Sequence, residues 1–385
     1  MLSTDMKSAV VTGANGFVGS HLVYRLLEQG WRVHAVGRAA GHDRLAARMS
    51  LALADVGPHA DFRGSLFCHE VDFDDPTPSA SILSREDAAG STTLIHVAGD
   101  TRFHPPDPAL QHRVNVEGAV KVMEAFAGRV ATAVHISTTF VAGDRTGLIR
   151  EDELDCGQQF RNHYERSKFD AERAVTDVCR AHNMPLVIAR PSVVTNDRRT
   201  GRASTFTHLN ALVEVVSRVH RYYRITDGEV VSERIRLLSD PEGTLNLAPI
   251  DSIAPLLLRI IVAPDAVGRT FHLSHPSPGS NAELMNVMAE ALQIRDKIAL
   301  EFMKDIPRPM TRTEELIVGV LEQYMPYLNS SARYDMSNVR SVVPEYEAYF
   351  SAIDPPYIRK ILDAQRAKKA QRMQARCQEA SQSRA

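Results

Sequence analysis

Cysteine is scarce in this chain: there are four in 385 residues, Cys68, Cys156, Cys179 and Cys377, at no spacing that suits a metal. A reducing, cytoplasmic setting is the simplest expectation from that usage. Cys156 lies near the mid-chain segment discussed below and reads as a spectator thiol. Net charge is almost absent as well, with 45 basic against 47 acidic side chains, so the electrostatic signature of a nucleic-acid partner is missing. No uninterrupted apolar run is long enough to span a bilayer, and no apolar leader precedes Lys7. The 15 histidines make no HxH or HExxH pattern, and no metal site is expected.

What the chain does contain is concentrated in two short segments. Lys7 to Val11 reads as a buried strand, Thr12-Gly13-Ala14-Asn15-Gly16-Phe17-Val18-Gly19 follows at once, and Phe17, Leu22, Leu26 and Leu27 recur at helical spacing. Strand, glycine turn and helix form the setting of a dinucleotide site. Gly13 allows the tight turn, Gly16 lets the backbone approach a pyrophosphate, and Gly19 lets the helix pack close, with free N–H groups at its start. Trp31 to Val36 reads as the second strand. It runs into Gly37-Arg38, where an acidic residue would bind a ribose 2′-hydroxyl and an arginine instead suits a 2′-phosphate, which favours NADPH. Asp72, after the strand-like run Leu66 to Val71, is placed to contact the adenine, with Asp75 or the adjacent turn an equal alternative.

The second segment is Tyr164-Glu165-Arg166-Ser167-Lys168. Tyr164 and Lys168 stand at i and i+4, so both project from one helical face, and an ammonium beside a phenol lowers its pKa toward the working range. Upstream, Val134-His135-Ile136 reads as a strand that ends in three hydroxyls, Ser137, Thr138 and Thr139, any of which can hold a carbonyl oxygen as charge develops on it. His96, at the end of another strand-like run, reads as a packed neighbour rather than a base.

These residues resemble an extended short-chain dehydrogenase/reductase, whose TGxxGxxG spacing the loop matches, and more narrowly its thioester reductase and fatty acyl-CoA reductase (male-sterility-type) branch. The resemblance covers roughly residues 7 to 300. It is carried by residues 12–19, by Ile95-His96-Val97-Ala98-Gly99, by Asn115-Val116-Glu117-Gly118, by STTFVAGDRTG at 137–147, by Asn162 to Lys168, by Ala189-Arg190-Pro191-Ser192-Val193-Val194, and by Asn246 to Asp251. Counting back from Gly143, the resemblance selects Thr138 as the hydroxyl partner of Tyr164 and Lys168. It implies that the cofactor is lined by Gly13, Asn15, Gly16, Phe17, Val18, Gly19, Arg38, Asp72, Ala98, Gly99, Asn115, Lys168, Pro191 and Val193. Two residues depart from the branch pattern on the substrate side: Phe140 replaces a tyrosine and Asn196 a glycine.

Strand-like and helix-like segments alternate from Lys7 to Arg190, the pattern of a doubly wound parallel (Rossmann) sheet. The expected division is an NADP-binding domain at 1–195, to which 240–260 returns through a strand at Thr244 to Ile250, a substrate lobe at 196–310, and an extension at 311–385. Within the lobe, Leu209, Leu212, Val213, Val216, Val219 and Tyr223 form an apolar stripe that packs on the core or lines an acyl tunnel, and Asn281 to Leu292 reads as an amphipathic helix. The extension carries Arg359, Lys360, Arg366, Lys368, Lys369, Arg372, Arg376 and Arg384, a solvated face by default and a docking surface for an acidic carrier protein in the sharper reading. The resemblance thus implies an NADPH-dependent reductase of an acyl thioester, held by coenzyme A or delivered by an acyl carrier protein, giving an aldehyde or, after a second hydride, an alcohol. A ketoreductase or hydroxysteroid-type dehydrogenase uses the same three residues, and an NADP(H)-sensing regulatory protein uses the same fold.

Overall fold

Strands covered on both faces read as near-continuous apolar runs, and β1 (Ser8–Thr12) is buried at every position. The computed structural model describes residues 7–38, 44–57, 62, 64–71, 82, 92–203, 208–222, 234–294, 299–303 and 309–382. After β1 come α1 (Phe17–Glu28), β2 (Arg32–Gly37), α2 (Leu45–Val56), β3 (Leu66–Glu70), β4 (Thr92–His96), α3 (Pro108–His112), a π-helical turn (Arg113–Glu117), α4 (Gly118–Phe126), β5 (Thr132–Ile136), β6 (Gly147–Ile149), α5 (His163–Ala181) and β7 (Leu186–Pro191). Then follow β8 (Val193–Thr195), α6 (His208–Tyr222), β9 (Arg234–Leu238), β10 (Leu247–Pro249), α7 (Ile250–Ile261), β11 (Thr270–Leu273), α8 (Asn281–Ala291), β12 (Ala299–Met303), α9 (Arg312–Leu321), α10 (Met325–Leu328), β13 (Ala332–Tyr334), α11 (Ser337–Val342) and α12 (Pro355–Gln382). The chain divides into two units, one of residues 1–192, 252–276 and 332–350, the other of 193–251, 277–331 and 351–385.

The first unit holds a seven-stranded sheet in the order β11-β7-β5-β4-β1-β2-β3. Every pairing in it is parallel, as the alternating pattern of the sequence requires. The strand order reverses direction at β1 and β4, and such a switch point opens a crevice at the carboxyl ends of the strands. Thr12 lies level with Val36 on one side and His96 on the other, so the loops that leave β1, β2 and β4 emerge together. Val10, Leu94, Val122, Met123, Phe126, Ala133 and Val175 make a core in which α4 and α5 cover one face.

The second unit is built on two parallel strand pairs, β8 with β10 and β9 with β12. The apolar stripe lies on α6, where Leu209, Leu212, Val213, Val216 and Val219 are all buried; Tyr223 lies outside the described residues. The expected strand at Thr244 to Ile250 forms only as Leu247–Pro249, and it pairs with β8 rather than with the central sheet. Pro249 has no N–H for a ladder and α7 begins immediately, so the run stops after three residues. The strand that does return to the central sheet is β11, which pairs with β7. A capping box between Ser280 and Glu283 starts α8. On α12, Tyr357, Ile358, Ile361 and Leu362 are buried, whereas Arg359, Lys360, Arg366, Lys368 and Lys369 face solvent. Among the described residues no helix is long and apolar enough to cross a membrane, and no group of His, Cys, Asp and Glu is arranged to hold a metal.

Candidate functional site

The glycine loop is shaped by close approaches that only glycine permits. Gly13 has a φ of +66°, donates its N–H to the Val36 carbonyl at 3.1 Å, and would place a Cβ 2.7 Å from the Ala98 nitrogen. Gly19 would place one 2.2 Å from the Gly13 carbonyl oxygen. Gly16 caps α1 in an extended conformation, no side chain caps the helix there, and its first turn holds no acidic residue. A helix start of that kind presents N–H groups and a positive dipole end to an anion, so the loop fits a dinucleotide pyrophosphate. Phe17 and Val18 begin the helix, and the Asn15 Oδ1 lies 3.6 Å from the position that a Cβ on Gly37 would take. Arg38, the next residue, is exposed at the end of β2, and Arg48 of α2 donates a hydrogen bond to its carbonyl oxygen.

Two strands along the same end of the sheet, α5 lays its side chains on the end of β5. Asn162 caps the helix by accepting from the Glu165 N–H at 3.0 Å. The Tyr164 phenol is hydrogen-bonded to the Thr138 hydroxyl. Thr138 also takes the Phe140 N–H at 3.3 Å and donates to the Pro191 carbonyl at 3.4 Å. Of the three candidate hydroxyls Thr138 alone meets the phenol: Ser137 donates to Glu172 at 2.6 Å, and Thr139 lies against Tyr334. Lys168, buried, donates to the Ile136 carbonyl at 2.8 Å.

Burial pushes the Tyr164 phenol up to about 12, with the Thr138 bond opposing and Glu165 adding. Burial also brings Lys168 down to about 8, against the pull of Glu172. The depression of the phenol expected from spacing therefore does not occur here, because the ammonium is engaged by the Ile136 carbonyl and burial outweighs the remaining charges. Below Lys168 lie two buried imidazoles, His96 and His135, stacked at 5.5 Å. Burial and then the Lys168 charge keep both neutral, His96 pushed down to about 3, which suits packing rather than base chemistry. Phe103, from the loop after β4, stacks on Tyr164 at 5.9 Å and meets Phe140 edge-on at 6.1 Å.

Comparison with known proteins bears on this geometry. Residues 11–254 match the family described as male sterility protein. The chain belongs to that family. It is an oxidoreductase of the extended short-chain dehydrogenase/reductase type with a nicotinamide dinucleotide site. Aldehyde reductase lnaA of Aspergillus flavus is 26% identical over 91% of the chain, which spans 35% of that relative's length. Two solved structures share the fold. The terminal R domain from the myxalamid PKS-NRPS biosynthetic pathway has a TM-score of 0.73 at 19% identity, covering 94% of this chain and 91% of that one. A thiolation-reductase di-domain from an archaeal non-ribosomal peptide synthetase has a TM-score of 0.74 at 17% identity, covering 95% and 76%.

In this male sterility family chain the other expected residues fall in different places. Ala98 donates its N–H to the Thr12 hydroxyl at 3.4 Å, and that hydroxyl also bonds His96 Nδ1 at 2.9 Å, so the loop after β4 is tied to β1. Asn115, on the π-helical turn, is spent on protein partners: its Oδ1 accepts from Asp100 at 2.7 Å, and its amide donates to the Asp100 carbonyl and to Ser167, each at 2.9 Å. Its contribution is to fix the loop beyond Gly99 against α5. Val193 is in the second unit, where its N–H donates to the Asn246 carbonyl at 3.1 Å. Asp72 lies outside the described residues. Three residues escaped the sequence reading: Arg48, Phe103 and Glu172. A second arginine on the helix after Arg38 signals the first, and continuation of the four-residue spacing from Tyr164 and Lys168 signals the last.

Proposed function

We propose that this chain is a reductase that uses NADPH to convert an acyl thioester, carried by coenzyme A or a carrier-protein phosphopantetheine arm, to an aldehyde. The observation that carries the reading is the meeting of Thr138, Tyr164 and Lys168 at the end of β5, at the same end of the sheet as an open glycine loop. Similarity to an aldehyde reductase, to a terminal R domain and to a thiolation-reductase di-domain supports the thioester as substrate and a carrier protein as its source.

The reduced nicotinamide, when bound, supplies the hydride. Gly13, Gly16, Gly19 and the start of α1 would hold its pyrophosphate, Arg38 and Arg48 a 2′-phosphate, and Lys168 the nicotinamide ribose. On the substrate, Thr138 and Tyr164 present two hydroxyls to one carbonyl oxygen and stabilise the negative charge that gathers there. With its pKa near 12, Tyr164 is protonated at neutral pH and acts as the acid that gives its proton to that oxygen. The Lys168 ammonium offsets the charge left on the phenol. A thioester adduct then loses its sulfur as thiol and becomes an aldehyde, whereas a ketone stops at the alcohol. The test supplies NADPH with a panel of acyl-CoA and carrier-bound thioesters, follows free thiol with a thiol-reactive dye, and traps aldehyde in parallel. Thiol and aldehyde in equal amounts are expected. Ketone reduction with no thiol release across the panel would overturn the reading.

A further inference from the structure

Helix α5 offers one side chain per turn to three consecutive residues at the end of β5. Tyr164 meets the Thr138 hydroxyl, Lys168 the Ile136 carbonyl, and Glu172 the Ser137 hydroxyl. The third contact has no place in the reduction as described above. Yet Glu172 is fully buried, and its carboxylate takes Arg190 Nε at 3.1 Å and a second guanidinium nitrogen at 2.5 Å, besides Ser137 at 2.6 Å. Arg190 is held in turn by the carbonyls of Glu151 at 3.3 Å and Glu153 at 2.9 Å, so neither partner is free to swing.

Resting on the reading above, we propose that Glu172 is a positioning residue for the reduction: locked by Arg190, it fixes through Ser137 the strand end that carries Thr138, and it supplies the negative charge that keeps Lys168 an ammonium inside the protein. The groups that face Lys168 are Tyr164 and Glu172 on its own helix, His96 on β4 and His135 on β5. Both imidazoles are neutral and the phenol is protonated, so the carboxylate is the group among these that favours the charged amine. A salt bridge needed only for folding would serve anywhere along α5. This one falls a single turn beyond the ammonium, with its free oxygen capacity given to the residue next to Thr138.

The test uses the full chain as Glu172→Gln and as the double variant Glu172→Met/Arg190→Met, in which no buried charge is left unpaired. Ionisation of Lys168 is read directly by ¹⁵N NMR of the lysine side-chain nitrogens, assigned with Lys168→Met, in protein without substrate. In parallel the pH profile of kcat is measured with NADPH and an acyl-CoA. Loss of a nearby opposite charge shifts a titration by about one unit or more, so both variants are expected to titrate Lys168 at least about one pH unit lower, with the alkaline limb of kcat moving by the same amount. A folded double variant in which the Lys168 midpoint and the limb stay at their wild-type positions would leave the pair purely structural and overturn the proposal. If the wild type releases no thiol but the Lys168 midpoint falls in the variants, the thioester reading fails and the role of Glu172 stands.

Discussion

Replacing Tyr164 by Phe removes one hydroxyl and leaves the ring, its stack on Phe103 and the N-capped start of α5 in place. General acid catalysis contributes about 10²–10⁴-fold, or roughly 2.7–5.5 kcal/mol at about 1.36 kcal/mol per decade. Two features point to the lower half of that range. Burial holds the phenol near 12, which makes it a weak acid, and the Thr138 hydroxyl survives the substitution as a donor to the same oxygen. A loss of about 10²–10³-fold in kcat is therefore expected. The hydrogen bond to Thr138 is worth about 1 kcal/mol net, and Phe no longer buries a hydroxyl, so the melting temperature is expected to change by less than about 4 °C. NADPH consumption with thiol release gives kcat and KM, and nucleotide fluorescence gives the NADPH Kd; both KM and Kd are expected within about threefold of wild type, the mark of an interaction made in the transition state. Thr138→Val in the Tyr164→Phe background is expected to cost less than the product of the single losses, because the two donors share one oxygen. A Tyr164→Phe enzyme that turns over at the wild-type rate on the true substrate would refute the assignment of both hydroxyls.

The pH profile of the wild type follows from Lys168, brought down to about 8: turnover is expected to be level near neutrality and to fall as pH rises through about 8, where the ammonium loses its proton, while Tyr164 near 12 stays protonated. A rate that climbs across that range would contradict the role of the ammonium. NADPH is expected to bind more tightly than NADH, and Arg38→Ala to erase about 10- to 150-fold of that preference, a charge-assisted bond of about 1.5–3 kcal/mol. Arg48→Ala acts in the same direction and less strongly, and equal Kd values for the two nucleotides in the wild type would remove both arginines from the site. Gly13→Ala meets a φ of +66° and the Ala98 nitrogen at 2.7 Å, so denaturation is expected to show a loss of at least about 2 kcal/mol together with loss of nucleotide binding; unaltered stability would place the loop elsewhere.

The parts of the site that were legible in the sequence are those whose geometry is local. A strand, three glycines and a helix fall within about twenty residues, and Tyr164 and Lys168 share a helical face by spacing alone. The order of the sheet followed from alternation, but the strand that closes its edge did not: the run at Thr244 to Ile250 and the run at Thr270 to Leu273 are both short and apolar, and only pairing decides between them. What the sequence concealed is tertiary. Ser137 meets Glu172 across 35 positions, Glu172 meets Arg190 across 18, and Asn115 spends its amide on Asp100 and Ser167. The phenol was misjudged for the same reason, since burial and the destination of the lysine are set by the packed strand end and not by the interval between two residues.

The three rungs between α5 and the end of β5 also set a rule about length. An α-helix advances about 100° per residue, so inserting or deleting one position between Tyr164 and Glu172 turns the helix face away and breaks the Thr138, Ile136 and Ser137 contacts unequally and together. Variation in this protein is therefore confined, at that place, to replacement without change of count. The segments where natural drift or a designed library can lengthen the chain are the connections on either side, such as residues 150–161 before the helix. New specificity would enter through the walls of the site, with its reading frame held constant.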